Sequence, residues 1–286
     1  MRENPQRQTF FALTDGTGCT DSCPMTILED DFTDVLRKAV TGHNLTPAKT
    51  AALSGLDENT LLKFLQGTFC EKSARQLAPL LGLNIEAFAR HPDYQPHPLT
   101  LPGITRLKLP FENEWVNAWL VCDENTLLLF DAGYLTPNLL LAIDAAHGRL
   151  PDQTFITHAH RDHIGALAYL LAMGIPVHAA GIPNTIPITP GYSVTHGRLT
   201  LRACDLSGHA SPALGFHLDG LAQPLLVTGD ALFAGSIGGC ASPATYQHAL
   251  HRLYQVLSPL PDTTVLLPGH GPATTLGEER AANPFL

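Results

Sequence analysis

Residues 155–167 read Phe-Ile-Thr-His-Ala-His-Arg-Asp-His-Ile-Gly-Ala-Leu, which places three histidines and an aspartate within six consecutive positions. Residues 154–157 read as a strand, and His158 and His160, two apart in extended chain, point the same way as it leaves a sheet. Asp162 and His163 follow where a helix begins, with Asp162 expected at its N-cap. Neutral imidazoles and a carboxylate form a ligand set for a divalent cation, and crowding four such groups together has no structural advantage. A strand end, a short loop and a helix start must therefore converge on one point.

The rest of the 286 residues fits around that demand. The length allows one large domain or two modest ones. With 44% apolar and 15% charged residues, a sizeable core can be buried and wholesale disorder is excluded. A net charge of −9 counts against general nucleic-acid or anionic-membrane binding, which need a basic footprint. Of 14 histidines, 11 lie from His147 onward, whereas all five lysines (Lys38, Lys49, Lys63, Lys72, Lys108) lie in the first 108 residues. Two differently built halves follow. Six scattered cysteines are too sparse for a disulfide scaffold and point to reduced thiols. Cys19 and Cys23, with no second close pair, read as loop thiols. The polar start and the lack of an apolar run of ~18 residues predict a cytoplasmic protein without a membrane span.

Residues 1–28 hold Gly16, Gly18 and Pro24 without a sustained period and read as an irregular N-terminal arm. Residues 29–90 are helical in pattern. Phe32, Val35, Leu36 and Ala39 recur at helix spacing, and Thr46-Pro47 reads as a cap and first-turn proline. Asp57 caps a helix over 58–65 that stops at Gly67, and helices over 71–81 and 85–89 complete the set. Residues 91–98, with three prolines, form a stiff linker. Over 99–286 the runs 118–122, 127–130, 154–157, 199–203, 225–228 and 265–267 read as strands. Helices are expected over 139–146, 164–173 and 243–257. The two sets together predict an α/β domain with a mixed sheet.

Residues 45–65 are helix, glycine-containing turn, helix, and resemble the helix-turn-helix of the lambda-repressor-like family. That resemblance implies DNA binding by the second helix. Yet this helix offers only Lys63 as a cation, and residues 29–95 carry nine acids against seven bases. Phosphate contacts supply most non-specific DNA affinity, so the charge speaks for a helical scaffold, or a contact between copies in a homo-oligomer, and against a nucleic-acid partner.

The run His158-x-His160-x-Asp162-His163 is an HxHxDH motif, and the chain resembles the metallo-β-lactamase superfamily over about 101–286. Gly208-His209, Val227-Thr228-Gly229-Asp230 and Pro268-Gly269-His270-Gly271 match the family's later motifs in order. The resemblance implies an αββα sandwich behind a small all-α N-terminal domain. It also implies two divalent metal ions, zinc first, with iron or manganese as alternatives. His158, His160 and His209 would hold the first metal; Asp162, His163 and His270 the second, with Asp230 between them. Asp131, after the strand over 127–130, would support the ligands from behind. His178, His196, His217, His248 and His251 match no motif and read as surface or packing residues.

Two such cations ~3.5–4 Å apart lower the pKa of a shared water and polarise a carbonyl. Asp162 can also orient or deprotonate that water. The expected reaction is hydrolysis of an ester-like bond in a small molecule. Residues 229–239 and 267–280 resemble the glyoxalase II (hydroxyacylglutathione hydrolase) branch, and 282–286 its short bacterial members, which implies a thioester substrate. Where that branch usually has Gly-Arg-Thr-Asp, this chain has Gly238-Gly239-Cys240-Ala241. No lysine follows Lys108, which leaves Arg149, Arg161, Arg198, Arg202, Arg252 and Arg280 as anion partners in the second half, Arg161 inside the motif itself. Two competing readings are a mononuclear iron persulfide dioxygenase of the same fold and a helix-turn-helix regulator with a metal-binding domain.

Overall fold

A computed structural model describes residues 28–123 and 126–286. Most of the expected N-terminal arm, and with it Cys19 and Cys23, lies outside the described residues.

Five short helices come first: α1 (Phe32–Gly42), α2 (Pro47–Ser54), α3 (Glu58–Leu65), α4 (Glu71–Leu80) and α5 (Ile85–Arg90). Four start at a side-chain cap. Asp31 accepts the Thr33 and Asp34 amides, Thr46 the Lys49 amide, Asp57 the Thr60 amide and Asn84 the Ala87 amide. Gly55 closes α2 at φ 73, a left-handed conformation that glycine adopts without steric cost. The apolar faces, led by Phe32, Leu36, Leu61, Phe64 and Leu77, close on a core of their own.

Residues 91–98 are a 3-10 turn (His91–Asp93) followed by extended chain, and they are tied down. The Tyr94 hydroxyl donates to the Glu279 carboxylate at 2.6 Å, and the His97 amide donates to Glu278 at 2.8 Å.

The first sheet runs β1 (Ile104–Phe111), β2 (Glu114–Asp123), β3 (Thr126–Phe130), β4 (Gln153–Phe155), β5 (Val177–Ala179), β6 (Ile186–Pro187), in that order. It is antiparallel as far as β3 and parallel beyond, with α6 (Thr136–His147) crossing from β3 to β4. The short helices α7 (Arg161–Ile164) and α8 (Leu167–Ala172) cross from β4 to β5. The second half supplies β7 (Ser193–His196), β8 (Leu199–Asp205), β9 (Leu214–Asp219), β10 (Leu225–Gly229), the hairpin β11 (Leu232–Phe233) and β12 (Ser236–Ile237), α9 (Pro243–Leu257), β13 (Val265–Pro268), β14 (Thr274–Thr275) and α10 (Leu276–Ala282). The second sheet is ordered β14-β13-β10-β9-β8-β7.

Alternate residues of the central strands enter different cores, as a period of two requires. Leu120, Leu127 and Leu129 pack with Leu139, Ile143 and Leu170 of the helices α6 and α8. Val121, Leu128 and Phe130 meet Leu201, Phe216 and Val227 of the second sheet. On the far face, Leu226 and Leu266 lie under Tyr246 and Leu253 of α9. The layers are helix, sheet, sheet, helix, the αββα sandwich expected, and strands buried on both faces read as unbroken apolar runs.

One expected helix, over 164–173, is two. The Gly165 and Ala166 amides donate to the Gly133 and Ala132 carbonyls at 2.7 and 3.2 Å, so the loop after β3 takes the hydrogen bonds a continuous helix would use. The helical bundle is seated on the sandwich. A Cβ at Gly42 would stand 2.4 Å from the Tyr246 ring, and the Asn84 amide donates to the Pro284 carbonyl at 2.7 Å.

Candidate metal centre

All seven residues expected as ligands come together at one end of the two sheets. His158 and His160 lie on the loop leaving β4, and Asp162 and His163 on α7. His209, Asp230 and His270 follow β8, β10 and β13. The N-cap position of α7 belongs to His160, not to Asp162 as expected. Asp162 sits within the first turn, and its Oδ2 faces His270 Nε2 at 3.3 Å and His163 Nε2 at 3.6 Å. Attraction to the two imidazoles replaces capping as the use of this carboxylate.

The side chains form two groups that share one residue. In the first, His158, His160, His209 and Asp230 each offer a donor atom, all within 4.8 Å of one another; Asp162, His163, Asp230 and His270 form the second. Asp230 Oδ2 lies 3.5 Å from His209 Nε2 and 3.7 Å from His158 Nε2, while its Oδ1 lies 3.2 Å from His163 Nε2. Donors ~2.1 Å from a tetrahedral cation stand roughly 3.4 Å apart, so these spacings suit one ion per group.

The outer faces of the rings confirm which nitrogens point inward. Nδ1 of His209 donates to the Gly239 carbonyl at 2.7 Å and Nδ1 of His270 to the Trp115 carbonyl at 2.8 Å. Nδ1 of His163 donates to Asp131 Oδ2 at 2.8 Å. His158 Nδ1 lies 3.0 Å from the Thr157 hydroxyl, whose own proton goes to Asp131. Carbonyls and carboxylates only accept, so each of these rings keeps a proton on Nδ1 and aims Nε2 inward. His160 presents Nδ1 instead, 3.1 Å from His209 Nε2. Nε2 of His158, Nε2 of His163 and Oδ1 of Asp230 are buried without a hydrogen-bond partner. Such orphaned atoms are costly unless a cation satisfies them, and the donor set fits a divalent pair.

The electrostatics of the bare site agree. Burial, helped by the neighbouring His163, pushes His158 down to about 2, so it stays neutral. Burial opposes charge on His163 too, but the Asp230 and Asp131 carboxylates outweigh it and raise His163 well above the usual imidazole range. His270 shows the same balance: despite burial, Asp162 and Asp230 raise it to about 10. Asp230 is held well below the carboxylate range, the buried position notwithstanding, by His163 and His270. Without cations, protons on the imidazoles balance the buried acids.

Close packing sets the loops. A Cβ at Gly269 would fall 2.1 Å from Asp230 Oδ1, and one at Gly238 would fall 1.9 Å from the Asp230 carbonyl. Asn117 donates its amide to the Gly269 carbonyl at 2.7 Å and its side-chain nitrogen to the Pro268 and Gly271 carbonyls at 2.9 Å. The Trp119 indole donates to Pro268 at 2.9 Å, so two β2 residues hold the His270 loop. Neither was singled out from sequence, although an asparagine inside the apolar run of β2 was a signal. Above the ligands opens a cleft of about 440 Å³, whose walls include Phe111, Arg161 and Phe233 and, from the N-terminal segment, Glu29, Asp30 and Lys38. His178, outside the site, stacks on Phe155 with ring centres 4.7 Å apart, as a packing residue does.

The family model described as the metallo-beta-lactamase superfamily matches residues 115–199. The probable metallo-hydrolase YqgX of Bacillus subtilis is 30% identical over 203 residues, 63% of this chain and 96% of that one. The chain belongs to the metallo-beta-lactamase superfamily. Another relative, hydroxyacylglutathione hydrolase GloC of Haemophilus influenzae, is 28% identical over 57% of this chain and 89% of its own length. The hydroxyacylglutathione hydrolase of Photorhabdus laumondii is matched over only 60% of its length, at 28% identity. Among solved structures, TTHA1623 in a di-iron-bound form is 31% identical, with a TM-score of 0.50 over 63% of this chain and 99% of that one. Superfamily members are mostly metal-dependent hydrolases, and no helix among the described residues is long and apolar enough to cross a membrane.

Proposed function

We propose that this protein is a dinuclear metal-dependent hydrolase of small thioesters. One observation carries the reading: two donor groups meet at Asp230, and three of their buried inward atoms, His158 Nε2, His163 Nε2 and Asp230 Oδ1, have no hydrogen-bond partner. His158, His160 and His209 would hold one ion and Asp162, His163 and His270 the other, with Asp230 between. Zinc or iron suits such a set, and one relative of known structure is di-iron. When bound, a divalent pair supplies a water ionised near neutral pH and polarises the substrate carbonyl.

The chain's own residues do the rest. Asp162 lies at the cleft floor, where its carboxylate can orient the attacking water and accept its proton. Asp131, through His163 and through Thr157 to His158, keeps the rings from turning. Phe111 and Phe233 line the cleft with apolar surface and limit water beside the reacting carbonyl. The thioester follows from the kinship with hydroxyacylglutathione hydrolases.

A single-iron dioxygenase would need only one donor group, and the completeness of the second favours two ions. Elemental analysis of purified protein, joined to a hydrolysis screen over thioesters, lactones and phosphodiesters, tests the reading. Two metal equivalents with thioester turnover are expected. One iron per chain with oxygen consumption on a persulfide would overturn it.

A further inference from the structure

The cleft is not built from the sandwich alone. The segment before α1 brings Glu29 and Asp30 to its wall, and α1 brings Lys38; all three lie outside residues 115–199, where the family model matches. The Lys38 ammonium donates to the Ile237 carbonyl at 2.8 Å and to the Asp30 carboxylate, and stands 5.3 Å from the centre of the Phe233 ring. Lys38 is thus anchored on β12, two residues before the Gly239 carbonyl that orients His209.

An ammonium has three N–H donors, and these two contacts leave one. With the Lys38 side chain 18% exposed, its charge acts where water screens it little. Across the cleft, Arg161 is braced by Glu112 and lies 5.2 Å from the centre of the Phe111 ring. The sandwich's own lysine, Lys108 in β1, lies over the Trp115 ring and is not among the cleft's lining residues, so the ammonium there comes from the helical half. A residue that served only to pin the bundle to the sandwich would use the same two partners but would leave ligand preference untouched.

We propose that the N-terminal helices form the substrate-selecting wall of this cleft, with Lys38 binding a carboxylate of the substrate. The inference rests on the thioester-hydrolase reading for its substrate class, and it makes that substrate an anionic thioester. The test needs no turnover. Calorimetric titration of the zinc-loaded full chain with 3-(benzylthio)propanoate, a non-hydrolysable thioether, is compared with its neutral primary amide. Wild type is expected to bind the carboxylate about tenfold more tightly, the size of one charge-assisted hydrogen bond. Lys38→Met should abolish the preference while leaving amide affinity unchanged, and Lys38→Arg should keep most of it. Asp30→Asn, which frees the ammonium from its internal partner, should enlarge it; a mere pin would show no such gain. No preference in wild type, an undiminished preference in Lys38→Met, or equal weakening of both ligands would overturn the proposal. Should Lys38→Met not fold, the Asp30→Asn result decides. A wild type that hydrolyses no thioester yet keeps a Lys38-dependent preference would refute the hydrolase reading and leave this one standing.

Discussion

Asp230 reaches both donor groups with one carboxylate, Oδ1 toward His163 at 3.2 Å and Oδ2 toward His209 at 3.5 Å. Replacing one of those oxygens by an amide nitrogen turns N–H bonds toward atoms that should face a cation. Asp230→Asn is therefore expected to lose at least one of the two metal equivalents on dialysis, and kcat/KM should fall roughly 10²-fold or more. His160→Ala should behave likewise, with melting of the metal-free protein unchanged because this ring is exposed. Full activity in either variant would refute the site. Asp131 acts from behind, accepting from Thr157 and His163, and Asp131→Ala should lower metal affinity roughly 10–100-fold in competition with a chelator. At this scale His158, His160, Asp162 and His163 were legible as candidate ligands because their side chains carry the chemistry themselves, and His209, Asp230 and His270 joined them through the family resemblance. Asn117, Trp119 and Lys38 were not, because an ordinary amide, indole or ammonium acquires its role only from what the fold sets opposite it.

Among the elements, the helix starts were the most readable. Asp57 caps α3 and Thr46 caps α2 as expected, because a cap is a contact between residues two or three apart. Ser242 caps α9 with a reciprocal bond to Thr245, and Ser242→Ala should cost about 1 kcal/mol in denaturant unfolding. The break between α7 and α8 was not readable, since its cause lies some thirty residues upstream in the loop after β3. A Cβ at Gly165 would fall 1.8 Å from the Tyr134 carbonyl, a backbone atom that cannot swing aside. Gly165→Ala should cost about 2 kcal/mol in the same measurement and shift α7, which carries His163. The strands β1 and β9 also escaped notice: Arg106, Lys108 and Pro110 interrupt the first, and Gly215 and His217 the second, while the neighbours that complete their pairing lie elsewhere in the chain.

At the scale of the whole molecule, the centre couples stability to protons and metal. His270 in the metal-free fold is raised to about 10 against an ordinary 6.5, despite burial, by Asp162 and Asp230. A raised folded-state value means its contribution is complete below about pH 6.5 and is lost as pH climbs through 10. The melting temperature of the metal-free protein should therefore fall between pH 7 and pH 10, while the zinc-loaded protein should not share that fall. Loading zinc at pH 7 in weak buffer should release protons, because the cations replace those on His163 and His270. A pH-independent midpoint and silent loading would contradict the electrostatics described. Local chemistry was enough to gather His158, His160, Asp162 and His163 as candidate ligands, to predict an α/β domain with a mixed sheet and to give the acidic character that speaks against DNA, because motif spacing, strand periodicity and charge are properties of neighbouring residues. The sandwich and the candidates His209, Asp230 and His270 came through the family resemblance. The tautomers of the rings and the entry of α1 into the cleft needed the fold, because each depends on atoms brought together from about 30 to 200 residues apart.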